Sequence, residues 1–94
     1  MTAPLHDPDL HSALAGLPEW KLEEKAIHRV FQFRDFSGAM EFVNRVAEEA
    51  EEANHHPDIT INYNRVTLSL TSHDAGGLTR RDVAMARKIS SLAA

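Results

Sequence analysis

The stretch Phe36-Ser37-Gly38-Ala39-Met40-Glu41-Phe42-Val43-Asn44-Arg45-Val46-Ala47-Glu48-Glu49-Ala50-Glu51-Glu52-Ala53 decides the fold. Within it Phe36, Ala39, Met40, Val43, Val46, Ala47 and Ala50 recur at helical spacing. That predicts one amphipathic helix over 36–53 whose apolar stripe needs a covering layer. Asp35 or Ser37 can cap its start, Asn54 can end it, and Pro57 forbids continuation. On both sides the period shortens to that of a strand. Upstream, Trp20-Lys21-Leu22 and Ile27 to Phe33 flank the polar turn Glu23-Glu24-Lys25. Ile27, Phe31 and Phe33 fall on one face, and His28, Gln32 and Arg34 on the other, with Val30 on the polar side. Downstream, Ile59, Ile61 and Tyr63 oppose Thr60 and Asn62, so Tyr63 reads as core. After a turn at Asn64-Arg65, Val66, Leu68 and Leu70 alternate with Thr67, Ser69 and Thr71, and the same alternation carries His73 onto the polar face.

Short helices frame this centre. Leu10, Leu14 and Leu17 predict a helix over Asp9 to Leu17, with Pro8 suiting its start and Gly16-Leu17-Pro18 its end. Residues 1–8 read as a flexible N-terminus. Beyond the loop Asp74-Ala75-Gly76-Gly77, Thr79-x-x-Asp82 has capping-box spacing and opens a last helix, with Leu78, Met85, Ala86, Ile89 and Ala93 on its apolar side. The order α-β-β-α-β-β-α with two hairpins predicts an α+β fold: a four-stranded antiparallel sheet covered on one face by helices. Such a sheet has two open edges. Pairing one of them across a subunit interface would remove it, so a homodimer or homotetramer is expected.

The chain has 94 residues, room for one domain spanning 1–94. Ten Lys and Arg stand against fourteen Asp and Glu, a net charge of −4, which argues against nucleic acid as a partner. There is no cysteine, so disulfides, thiolate nucleophiles and Cys-ligated zinc are excluded. No apolar run approaches the roughly 20 residues that span a bilayer. The stretch from Met1 to Leu10 has no Lys or Arg and no apolar core, unlike a signal peptide. A cytoplasmic protein with no membrane partner is expected.

Six histidines are many for this length. His55 and His56 leave the end of the long helix and enter a chain constrained by Pro57, which pushes His56 into extended backbone. Imidazoles titrate nearest neutrality and suit proton transfer in either direction. Glu51, four residues before His55, is placed to orient that ring. His73 can join the pair if the end of the second hairpin returns to the helix end. Asp82 reads as the cap partner of Thr79 rather than as a catalytic acid. Trp20 either packs in the hairpin or lines the pocket. His6, His11 and His28 match no motif and read as surface.

Glu51, His55, His56, Pro57, Tyr63, His73 and Asp82 together have the spacings of the pterin-4a-carbinolamine dehydratase family, which the chain resembles from Leu17 onward. Trp20, Arg29-Val30-Phe31-Gln32-Phe33, Asp35-Phe36 and the run from Thr71 to Thr79 resemble family members as well. The resemblance implies a helix-covered sheet joined to a partner's sheet. It also implies dehydration of a 4a-hydroxytetrahydropterin to the quinonoid dihydropterin, feeding tetrahydrobiopterin recycling beside an aromatic amino acid hydroxylase. His55, His56 and His73 are then the catalytic set, and Glu51, Pro57, Asp74 and Trp20 contribute to the substrate site. Neither a metal nor an organic cofactor is expected. The alternative is a non-catalytic dimerisation or transcription-cofactor module, as in vertebrate relatives. A three-histidine metal site ranks last, because adjacent histidines point in different directions.

Overall fold

The computed structural model describes residues 4–93. The long helix is α2, Phe36–Ala53, with the bounds its periodicity predicts. Asp35, in extended backbone, starts it by accepting from the Gly38 N–H at 2.8 Å. It ends in a Schellman motif. Asn54 takes the left-handed conformation (φ 50), its N–H bonds the Glu51 carbonyl, and the His55 N–H bonds the Ala50 carbonyl at 3.1 Å. The buried face is rotated from the expected stripe. Ala39, Val43, Val46 and Ala50 are inside, but so is Phe42, whereas Phe36 and Ala47 face solvent. The aromatic ring decides this: Phe42 stacks on Phe31 and Phe33, at centroid distances of 4.8 and 5.0 Å. Burying a phenyl ring outweighs burying the methyl of Ala47.

Four strands follow the sequence pattern: β1 (Lys21–Glu23), β2 (Ala26–Gln32), β3 (Asp58–Asn62) and β4 (Arg65–Leu70). They form one antiparallel sheet in the order β1-β2-β4-β3. Ile27 lies opposite Leu70 and Phe31 opposite Val66, and together with Leu68 these side chains form the sheet's buried face. α2 and α3 (Arg80–Ala93) cover that face with Ala39, Phe42, Val46, Met85, Ala86 and Ile89. Arg29 shares it, opposite Leu68. Its guanidinium lies 4.3 Å from the Phe31 ring centroid and bonds Ser90 Oγ at 3.1 Å, so the charge stays at the rim while the stem packs.

The β3 edge departs from the sequence reading. Ile59 and Ile61 pair with Leu68 and Val66, yet each stays 36% exposed while Leu68 and Val66 are fully buried. Tyr63 is 66% exposed and is not core. It is a turn residue with φ 52, so the turn falls at Tyr63-Asn64 and Arg65 already belongs to β4. At the other end, α1 (Asp7–Ala15) starts two residues before the predicted Asp9, with Pro8 in its first turn. Of the residues 1–8 expected to be flexible, 1–3 lie outside the described residues. Leu5 is tied by its N–H to the Leu78 carbonyl at 2.8 Å and packs on the core. Among the described residues no helix is long and apolar enough to cross a membrane.

Candidate active site

The site is built where α3 begins. Asp82 Oδ2 accepts from the Thr79 N–H at 2.9 Å, and Thr79 Oγ1 accepts from the Arg81 N–H at 3.2 Å, so the expected capping pair forms. Two further hydroxyl contacts fix a direction. A carboxylate has only lone pairs to offer, so the Ser72 hydroxyl donates to Asp82 Oδ2 at 2.8 Å. Ser72 Oγ is then left to accept from the Thr79 hydroxyl at 2.9 Å. Donation therefore runs Arg81 N–H, Thr79, Ser72, Asp82. The second carboxylate oxygen, Oδ1, is 2.6 Å from His55 Nε2, which donates to it. Thr79 and Asp82 are fully buried, Ser72 is 1% exposed and His55 8%. In such a setting each unmade hydrogen bond is expensive. The positive end of α3 adds to the stabilisation of the carboxylate. With Nε2–H directed at Asp82, a neutral His55 ring carries its lone pair on Nδ1.

Sequence spacing predicts Glu51 behind His55; the structure pairs Glu51 with His56 Nε2 instead. The physical reason is the helix end. α2 stops at Ala53 and the left-handed Asn54 turns the chain, so a spacing of four no longer places two residues on one face. The Schellman turn sends His55 inward to Asp82 and leaves His56 at the rim, where its side chain is 54% exposed. His73 is also corrected. β4 ends at Leu70, only a single Ser72–Gly77 bridge continues the pairing, and His73–Ala75 forms one 3-10 turn. That turn lifts His73 off the sheet and brings it to the histidine pair. His55, His56, His73 and Asp74 line one open cleft of about 330 Å³, with Asn54 and Arg81 on its walls. Arg81 donates to Asp74 Oδ1 at 2.6 Å, and this hydrogen bond holds the Asp74 carboxyl below the usual carboxylate range. The Nε of Arg81 is buried without a partner.

Three expected site residues do not line this cleft: Glu51, which reaches it only through His56, and Trp20 and Pro57. Trp20 is in the core, 4% exposed, edge-on to Phe31 at 6.2 Å, with Nε1 donating to Ser90 Oγ at 3.0 Å. Pro57 lies between His56 and β3 and serves the direction of the backbone. Conversely, the sequence reading does not reach Ser72 or Arg81 as site residues, and it gives Thr79 and Asp82 only their cap. Asp82 does cap α3, but it is also the partner of His55. The available signal was its spacing to Thr79, which put a carboxylate at a buried helix start. Among the described residues no group of three His, Asp or Glu side chains is disposed to hold a metal ion.

A family model described as pterin 4 alpha carbinolamine dehydratase matches residues 3–92. The chain belongs to this family. A relative from Thermomicrobium roseum, provisionally named a pterin-4-alpha-carbinolamine dehydratase, is 56% identical over 91 residues, covering 97% of this chain and 98% of its own. One of the same name from Koribacter versatilis is 52% identical over 92 residues, with 98% of each chain covered. Among solved structures, a transcriptional coactivator/pterin dehydratase from Brucella melitensis superposes with a TM-score of 0.93 at 38% identity. It covers 97% of this chain and 99% of that one. The four-stranded sheet and three helices are thus the architecture of a pterin dehydratase-family member.

Proposed function

We propose that the chain is a 4a-hydroxytetrahydropterin dehydratase, a hydro-lyase that works by histidine acid–base chemistry and serves tetrahydrobiopterin recycling beside an aromatic amino acid hydroxylase. The observation that carries this reading is the convergence of His55, His56 and His73 on one cleft, with His55 held from behind by the buried Asp82. The reaction needs one proton delivered to the 4a-hydroxyl, which leaves as water, and one proton removed from N5 as the C4a–N5 double bond forms. Both are proton transfers near neutrality, for which positioned imidazoles suffice. His55, with Nδ1 free, and His73 share the acid and base roles, and His56, steadied by Glu51, orients the pterin ring. Asp82 fixes the tautomer of His55 and stabilises the imidazolium when it forms. A pH–rate profile of His55→Ala and His73→Ala tests the assignment: it predicts loss of one limb in each variant, and unchanged rates and profiles in both refute it.

The position of β3 as an outer strand, with Ile59 and Ile61 each 36% exposed, favours pairing with a second copy into a homodimer or homotetramer. Sedimentation equilibrium checks this, and a monomer at micromolar concentration contradicts it. A cytoplasmic location fits the same role. The second reading, a protein-binding cofactor, draws on the coactivator half of the Brucella protein's description. A stable protein partner without dehydratase activity would favour it.

A further inference from the structure

We propose that the hollow beyond His73 receives the substituent that a pterin carries at C6, and that Gly77 sets its capacity. The inference rests on the dehydratase reading above. The cleft does not stop at His73. Thr71 and His73 line both the cleft and a second hollow of about 260 Å³. The far wall of that hollow is the β1–β2 turn, Glu23 to Lys25, and its remaining wall is Gly76-Gly77. The hollow has fixed walls. The Thr71 hydroxyl donates to the Lys25 carbonyl at 2.6 Å and ties the turn to the end of β4. Ser72 and Gly77 exchange backbone bonds of 3.2 and 3.3 Å across the loop.

The two glycines have different reasons to be glycine. Gly76 has φ 75, a conformation that L side chains rarely adopt. Gly77 is outside that range, and a β-carbon there would meet nothing within 4 Å. Neither backbone strain nor steric conflict with the protein therefore explains the missing side chain at 77. What its absence leaves is open volume beside His73.

The chemistry gives that volume an occupant. The reacting atoms of the carbinolamine are C4a and N5, and the next ring atom after N5 is C6, so the substituent departs on the N5 side. The opposite edge of the ring carries an amide and an amine, for which Asn54, Asp74 and Arg81, which line the cleft but not the hollow, offer partners. Two acidic residues, Glu23 and Glu24, and one basic residue, Lys25, line the hollow. That suits a short neutral chain with hydroxyls and disfavours an anionic tail.

The test compares two carbinolamines, one with a methyl and one with a dihydroxypropyl group at C6, generated in situ and assayed with wild type and Gly77→Val. The proposal predicts that the kcat/KM ratio, dihydroxypropyl over methyl, falls about tenfold or more in the variant. An unchanged or raised ratio overturns it. Gly77→Ala, with a thermal melt beside it, stands in if the valine variant does not fold, and must move the ratio the same way. If wild type dehydrates neither substrate, the dehydratase reading fails by itself. Fluorescence titration of the two corresponding 7,8-dihydropterins then decides the hollow: Gly77→Val must weaken the long-chain pterin more than the methyl one, and equal weakening overturns the proposal.

Discussion

His55 and His56 are neighbours in sequence, and each has a carboxylate partner, yet the two regions they occupy are held by opposite means. His55 belongs to a buried network in which Asp82 takes three donors and every hydroxyl has a partner. His56 and Glu51 stand at a solvated rim, their side chains 54% and 76% exposed. In the first region a lost partner leaves a polar group stranded in low dielectric. In the second, water replaces it. The same imidazole–carboxylate pairing is thus buried in a hydrogen-bonded network in one place and solvated in the other.

The largest effect separating the two regions is expected at Asp82. Asp82→Ala removes the acceptor of three buried donors, and urea denaturation should show a loss of about 3–5 kcal/mol, the range for breaking a buried pair. Asp82→Asn keeps the shape but turns an N–H toward His55 or Thr79. It should keep more stability than Asp82→Ala while losing rate. Next in size, His55→Ala should lower kcat by about 10²–10⁴-fold, the usual contribution of a general acid or base. His56→Ala should act chiefly on KM, and steady-state kinetics on both variants would erase the contrast if the two losses were alike. Ser72→Ala cuts the hydroxyl chain while leaving Asp82 two partners, and should cost about 1–3 kcal/mol in denaturant titrations.

Smaller effects belong to the rim. Glu51→Gln should change stability by no more than about 1 kcal/mol and show itself in KM; a loss as large as that of Ser72→Ala would end the distinction between the regions. The smallest effect concerns Asp74, whose carboxyl is held below its ordinary value of 3.8 by the Arg81 hydrogen bond. A depressed folded-state value means that the contribution is present above pH 3.8 and is lost as the pH falls through the lower folded value. Denaturation midpoints of wild type and Asp74→Asn should therefore differ slightly at pH 7 and converge in strong acid. Divergence on acidification would have the wrong sign.

The same contrast explains what could be read from the sequence. Elements whose causes are local were legible: the bounds of α2, the Asp35 cap, the left-handed Asn54, the Thr79–Asp82 box and the buried Val66, Leu68 and Leu70. Most of what failed depended on partners distant in sequence. Phe42 turned inward because two rings of β2 and its following residue were waiting for it. Tyr63 faces solvent because the chain turns there, with φ 52, between the paired ends of β3 and β4. Glu51 was matched to His55 on a helical spacing that had already ended, while the true partner, Asp82, lies 27 residues away and is brought in by α3. The histidines themselves were legible as a set. Which carboxylate holds which ring was not, because that is decided by how the ends of α2 and β4 meet the start of α3.

The central claim is that a buried carboxylate makes His55 a proton-transfer group. The most direct test is the decay of a 4a-hydroxytetrahydropterin, generated in situ by a hydroxylase, in the presence of chelator-treated wild type or folded Asp82→Asn. The account predicts clear acceleration by wild type and its loss, by about 10²-fold or more, in the variant. No acceleration by folded wild type, or equal acceleration by both proteins, would contradict it.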